Sequence, residues 1–168
     1  MQRRTFVLAL PALALAACAR PRNIGADGLP GPQIYHITPE VEAGIPFRFL
    51  DGLNTLRAAA GAPQVQLDAQ LNAAAATHSR DMALQNRPWH FGSDGSSPLD
   101  RLRRVGYAGG LVGEAISESY ETELETLAAW SEAPETREVI LDRRATRLGL
   151  AWFQEPSGKL WWTMVLGN

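Results

Sequence analysis

Residues 147–166 read RLGLAWFQEPSGKLWWTMVL, and this stretch decides the fold class. Its two halves, residues 147–154 and 160–166, are rich in large apolar residues of the kind that favour strands. Pro156-Ser157-Gly158 lies between them and is typical of a turn. The stretch therefore predicts an antiparallel hairpin at the C-terminal end.

The sequence upstream of the hairpin has a helical pattern. Apolar residues recur at intervals of three and four, and the pattern is interrupted by Gly and Pro. Asp68, Ser97 and Thr122 are each suited to cap a helix N-terminus. The expected helices run from Pro46 to Gly61, from Asp68 to Asn86, from Ser97 to Gly106 and onward from Thr122. Helices followed by a hairpin predict an α+β layered domain.

The first eighteen residues are typical of an export signal. Arg3-Arg4 precedes an apolar run from Phe6 to Ala17, which is shorter than the about 20 residues that a bilayer requires. Leu15-Ala16-Ala17-Cys18 resembles the lipobox of bacterial lipoproteins, which implies lipidation of Cys18 and cleavage before it. A plain secretory signal with an incidental cysteine is the alternative.

The sequence predicts three segments in the chain. Residues 1–17 form the cleaved signal, residues 18–45 a lipidated cysteine with a Pro/Gly-rich tether and extended lead-in, and residues 46–168 the folded domain. Gln2 to Val7 resembles a twin-arginine export motif, with ordinary export as the alternative. We expect a lipid-anchored protein of the cell envelope, facing the periplasm or the outside, with the choice of membrane open.

Composition limits the possible partners. The formal net charge is −2, and loss of Arg3 and Arg4 with the signal takes it to −4. Nucleic acid is excluded because phosphate binding needs clustered basic residues. Cys18 is the single cysteine, so no intrachain disulfide forms.

Four stretches taken together resemble the CAP superfamily of cysteine-rich secretory, antigen 5 and pathogenesis-related proteins, and in particular its bacterial branch. The stretches are Leu53 to Arg57 with Gly61 and Leu67-Asp68; His78 to Ala83 with His90 and Asp94-Gly95; Arg101 to Tyr107 with Gly113-Glu114-Ala115-Ile116; and Trp130, Pro134, Arg137 and Ile140-Leu141 with Leu148-Gly149. The resemblance covers about residues 47 to 167. It implies a three-layer α-β-α sandwich with a central antiparallel sheet.

The resemblance also implies a cleft. Many CAP domains carry two histidines and two glutamates there, and some bind zinc. His90 matches the first histidine and Glu114 the first glutamate, but Thr136 stands where the family has its second histidine. The second glutamate has no clear equivalent, and Glu132 is the nearest acidic residue. His90 and Glu114 are therefore weak metal candidates, and no cofactor is expected, because a threonine hydroxyl replaces imidazole poorly.

Two further histidines could restore a metal site if they reached the cleft. His78 lies on the apolar stripe of its helix, where a hydrogen-bonded core histidine is the simpler interpretation. His36 lies in the lead-in and is interpreted as a surface residue.

Three functions are compatible with this pattern. A non-catalytic domain would bind a lipid or an envelope protein through His90, Glu114 and Thr136, with Ser93 and Ser117 as further contacts. The tryptophans would then form an apolar wall or, in the alternative we favour, belong to the core; they are Trp89, Trp152, Trp161 and Trp162. A hydrolase would use His90 and Glu114 as base and orienting carboxylate, with Ser93 or Ser117 as nucleophile. In a purely structural role the pair would only tie a loop to a strand.

Overall fold

The computed structural model describes residues 34–168, and Ile34–Asn168 forms one compact unit. The predicted signal, the predicted lipidation site Cys18 and the predicted tether as far as Gln33 lie outside the described residues. No helix within residues 34–168 is long and apolar enough to cross a membrane.

The four predicted helices and the C-terminal hairpin are present in the predicted order, and residues 34–168 contain two further helices and two further strands. Within the described residues the helices are α1 (Pro39–Glu42), α2 (Ile45–Ala59), α3 (Ala69–Gln85), α4 (Pro98–Arg104), α5 (Glu123–Glu132) and α6 (Pro134–Leu141). The strands are β1 (Gln66–Leu67), β2 (Leu111–Glu118), β3 (Arg147–Gln154) and β4 (Leu160–Gly167).

The sheet has the strand order β1-β3-β4-β2. The hairpin β3–β4 pairs antiparallel from Arg147↔Gly167 to Gln154↔Leu160, and β2 pairs antiparallel with β4. The two-residue strand β1 pairs parallel with β3, so the whole sheet is mixed around an antiparallel centre.

Both faces of the central strand β4 are buried. Trp162, Met164 and Leu166 pack into the main apolar core with residues of α2, α5 and α6. Val165 packs on the opposite face with Leu71 of α3 and its neighbours. Alternation along one strand therefore produces helices on both sides of a sheet, the predicted α+β sandwich.

Helix α3 lies very close to the sheet at Gly149 of β3. A Cβ added there would lie 2.2 Å from the backbone carbon of Leu71 in α3. Asp68 fixes the start of this helix, since its side chain accepts hydrogen bonds from the backbone N–H groups of Gln70 and Leu71. The absence of a side chain at Gly149 lets α3 rest directly on the sheet.

The lead-in differs from its prediction. The sequence predicts an extended segment as far as residue 45, but α1 is helical because Pro39 occupies its first turn. Gln154 at the end of β3 also fixes this segment. Its Nε2 donates to the carbonyl oxygen of Tyr35 at 2.7 Å, and its Oε1 accepts from the N–H of Ile37 at 2.9 Å. Residues 34–45 are therefore part of the folded unit.

Candidate functional site

Glu114 of β2 is the centre of a polar cluster on the α3 side of the sheet. Its side chain is only 2% exposed. Oε2 accepts a hydrogen bond from Nη2 of Arg101 at 2.6 Å, and Oε1 accepts from Nδ1 of His90 at 2.9 Å. A buried carboxylate requires such partners, since burial without them is strongly unfavourable.

Arg101 reaches the cluster from the short helix α4. A capping box fixes the start of this helix, where Ser97 and Asp100 exchange side-chain to backbone hydrogen bonds. The arginine side chain is 4% exposed, and its Nη1 donates to the carbonyl oxygens of His90 at 3.1 Å and Ser96 at 3.3 Å. One guanidinium group therefore joins β2 to both ends of the loop that carries His90.

His90 presents one ring nitrogen to solvent. A carboxylate only accepts hydrogen bonds, so Nδ1 carries the proton in the contact with Glu114, and Nε2 is left with a lone pair. Nε2 makes no hydrogen bond within residues 34–168, and the side chain is 51% exposed. Glu114 thus fixes the orientation of the imidazole, and Nε2 is accessible to a ligand from solvent.

The loop after His90 is fixed by acidic side chains. Asp81 of α3 accepts hydrogen bonds from the hydroxyl and the N–H of Ser93, at 2.6 and 2.7 Å. Hydrogen bonds from Ser96 and the ion pair with Arg104 hold the pKa of Asp94 well below its ordinary range. Both carboxylates therefore stabilise the loop, and both also border a surface groove.

His78 lies beside Glu114 and is buried, as the sequence predicts. It is fully buried, and its Nε2 lies 2.9 Å from the carbonyl oxygen of Trp89 and 3.8 Å from Oε1 of Glu114. Burial lowers the pKa of His78, although the charge of Glu114 opposes this effect. A neutral ring donates from Nε2 to Trp89, which leaves Nδ1 without a partner among the described residues.

Thr136 does not hydrogen-bond to this cluster. It lies in α6, and its hydroxyl donates to the carbonyl oxygen of Trp130 at 2.6 Å, with Ala133 O at 3.3 Å. The hydroxyl is therefore engaged at the junction between α5 and α6.

The donor set is a poor fit to zinc. Arg101 already neutralises Glu114, and the hydroxyl of Thr136 is engaged elsewhere, so of these three residues only His90, through Nε2, has an atom open to a metal. His36 and Glu132, the other rescue candidates, are exposed. Within residues 34–168 no group of three or more His, Cys, Asp or Glu side chains is placed to hold a metal ion.

Neither candidate serine is paired with His90. The hydroxyl of Ser93 donates to Asp81, and the buried hydroxyl of Ser117 has no hydrogen-bond partner among the described residues. Ser117 pairs with Trp162 in the sheet register, on the face opposite Glu114. The structure therefore shows a base with its orienting carboxylate, but no nucleophile in contact with the base.

The tryptophans are divided between core and surface. Trp161 and Trp162 are fully buried, which confirms the core interpretation for both. Trp152 packs against Trp162 with ring centroids 5.6 Å apart. Trp89 is half-buried next to His90, and its ring lies 5.6 Å from that of Phe91.

A groove of about 370 Å³ lies beside the cluster, within the size range of small-molecule sites. Arg101 forms part of its wall, together with Arg80 and Leu84 of α3 and Ser93 of the loop. Arg101, which sequence reasoning did not single out, therefore borders both the groove and the buried carboxylate.

Residues 50–166 match the CAP family, the cysteine-rich secretory protein family. The chain belongs to this family, as its sequence predicts, and the α+β sandwich is the fold expected of a member.

Individual relatives support the assignment. The chain is 28% identical to the uncharacterized protein YkwD of Bacillus subtilis over 115 residues, which is 68% of this chain and 44% of that protein. An extracellular protein with an SCP domain from Bacillus anthracis superposes with a TM-score of 0.70 at 24% identity, covering 79% of this chain and 44% of that one. An outer surface protein from Borrelia burgdorferi gives 0.68 at 14% identity, covering 76% and 93%. This chain spans less than half the length of the two Bacillus proteins.

Proposed function

We propose that this protein is a domain of the cell envelope that binds a ligand or a partner group at His90 without transforming it chemically. The observation that supports the proposal is the oriented imidazole of His90. Glu114 holds its Nδ1 at 2.9 Å, while Nε2 is open to solvent. Such a nitrogen accepts a hydrogen bond from a hydroxyl or an N–H group of a ligand.

The arrangement favours binding over hydrolysis. General-base catalysis on a serine requires the hydroxyl within hydrogen-bond reach of the base. Ser93 is bonded to Asp81 instead, and Ser117 lies on the opposite face of the sheet from Glu114. The chemistry of the donor set also supports a role that does not depend on zinc.

Arg101 has the contacts of a purely structural residue, whereas His90 does not. Arg101 is buried, and it makes the bonds to Glu114, His90 O and Ser96 O that hold the loop. The bond from His90 comes from a half-exposed side chain, and Glu114 keeps its bond to Arg101 without it. An exposed imidazole on a rigid base is suited to meeting a ligand.

Native mass spectrometry of the mature chain, purified from the periplasm without chelator, tests this proposal. We expect a stoichiometric adduct that is lost in His90→Ala and retained in His36→Ala, which removes an exposed histidine far along the chain. The mass of the adduct separates a lipid from a metal or a peptide. An adduct retained in both variants, or a bare chain in every preparation, contradicts binding at His90.

We also propose that Cys18 carries the lipid that anchors the domain. The supports are the lipobox-like Leu15-Ala16-Ala17-Cys18 and the export signal before it. The B. anthracis and B. burgdorferi proteins are an extracellular and an outer surface protein, which fits an envelope location. Membrane fractionation tests this proposal. Cys18→Ser should release the chain from the membrane fraction, and a chain retained there would contradict the anchor.

A further inference from the structure

One end of the domain combines exposed apolar side chains with the entry of the chain. Leu84, in the last turn of α3, is 84% exposed, and Phe91 in the following loop is 49% exposed. Trp89 packs on Phe91, and the guanidinium carbon of Arg87 lies 4.0 Å from the ring centroid of Trp89. Exposed apolar side chains at one end of a domain are typical of an interaction surface. We call these four residues the α3-end surface.

Gln85 holds the parts of this surface together. Its Oε1 accepts from the indole N–H of Trp89, and its Nε2 donates to the carbonyl oxygen of Phe91 at 3.2 Å. The aromatic side chains are therefore tied to the helix that carries Leu84, so binding them requires little further ordering.

The described chain begins at this same end. Ile34 packs on Gly158 in the turn of the β3–β4 hairpin. The next residue of that turn, Lys159, donates from Nζ to the side chain of Asn86 at 3.2 Å. Asn86 is the C-cap of α3, one residue before Arg87. The N-terminal tether therefore joins the domain close to the α3-end surface.

The length of the tether limits the distance to the proposed anchor. Fifteen residues, 19–33, separate Cys18 from Ile34, and their full extension is at most about 50 Å. A short linker of this kind gives an effective concentration on the order of millimolar at the membrane. A surface of a few apolar side chains is too weak to bind a bilayer from solution, but at that concentration a weak affinity is enough.

We infer that the α3-end surface docks on the lipid bilayer to which the chain is anchored. Trp89 and Arg87 suit the interface, where an aromatic ring and a cation meet headgroups, while Leu84 and Phe91 reach the acyl boundary. Docking would place His90, which lies between Trp89 and Phe91 in the sequence, at the membrane surface. The inference rests on the proposed anchor at Cys18.

The test attaches the anchor chemically, so its result does not depend on whether cells lipidate Cys18. The single cysteine of the mature chain is coupled to a maleimide lipid in phosphatidylcholine vesicles with brominated acyl chains, which quench tryptophan fluorescence at the acyl boundary. We expect quenching of the coupled chain and none of the uncoupled chain. Trp89→Phe should abolish the quenching. Trp152 is also partly exposed but lies outside the α3-end surface, so Trp152→Phe should leave the quenching intact.

Apolar variants complete the test. Leu84→Ser should reduce the docked fraction roughly fivefold, because it removes an apolar side chain from the contact. Leu124→Ser is the matched control, since Leu124 is 48% exposed on α5 in the other helical layer. Circular dichroism verifies that each variant is folded. Quenching that is absent in the folded coupled chain, or equally strong in Leu84→Ser, overturns the inference.

Discussion

The guanidinium group of Arg101 donates to Oε2 of Glu114 at 2.6 Å, and both side chains are almost fully buried. Arg101 lies in the short helix α4 and Glu114 in β2, so this ion pair joins α4 to an edge strand of the sheet. The same pair forms the rigid base under His90. The Arg101–Glu114 contact therefore contributes both to the stability of the loop and to the orientation of the imidazole.

Arg101→Met leaves the carboxylate of Glu114 buried without its cation. We expect the free energy of unfolding to fall by about 3–5 kcal/mol, the usual effect of breaking a buried pair. Urea unfolding measures the change. Arg103→Met is the control, because Arg103 is 70% exposed, and its loss should cost less than about 0.5 kcal/mol. Equal costs for the two variants would show that the pair is not buried.

His78 should make stability depend on pH. Burial lowers the pKa of His78 in the folded protein, whereas the unfolded chain binds a proton near its ordinary value of 6.5. The unfolded state thus holds more protons below that value, and the stabilisation present above it is lost as pH falls towards the folded pKa. Unfolding free energies at neutral and acidic pH measure this loss.

His78→Gln removes the titrating group and retains a hydrogen-bond donor for the carbonyl oxygen of Trp89. We expect a shallower decline of stability with acid than in the native chain. His36→Gln, at an exposed position, should leave the decline unchanged. An identical pH dependence in the native chain and in His78→Gln would contradict the assignment of a neutral, buried His78.

Gly149→Ala tests the contact between α3 and the sheet. The added Cβ would overlap the backbone of Leu71, so the helix must shift, and we expect a loss of about 1–3 kcal/mol. Gly52→Ala is the control, because its Cβ would meet only the side-chain ends of Leu127 and Leu124, at 3.1 and 3.3 Å. Thermal unfolding compares the two. A neutral Gly149→Ala would show that α3 does not rest on β3 as closely as described.

The sequence predicted the hairpin and the main helices because each carries a local signal. Asp68 and Ser97 both cap helices as expected, since capping depends on residues within one turn. Thr122 also caps α5, where its side chain accepts from the N–H of Glu125, while Glu125 itself accepts from the N–H of Glu121. Helix α6 follows α5 with one shared cap residue, Ala133, which leaves no loop signal for sequence analysis to find.

The site could be predicted only in part. The resemblance to the CAP family identified His90 and Glu114, which the structure places in contact. Arg101 was missed as a site residue because spacing alone does not distinguish it from the exposed Arg103 and Arg104 in the same helix. Its burial depends on tertiary packing of α4 against β2, which local sequence does not encode.

The protonation of the His90 ring tests the central claim most directly. Nitrogen-15 NMR of the imidazole distinguishes a protonated Nδ1 from a protonated Nε2. We predict that the neutral ring of His90 carries its proton on Nδ1 and has a bare Nε2, and that Glu114→Gln removes this preference. A His90 ring with the proton on Nε2, or one indifferent to Glu114→Gln, would contradict the account.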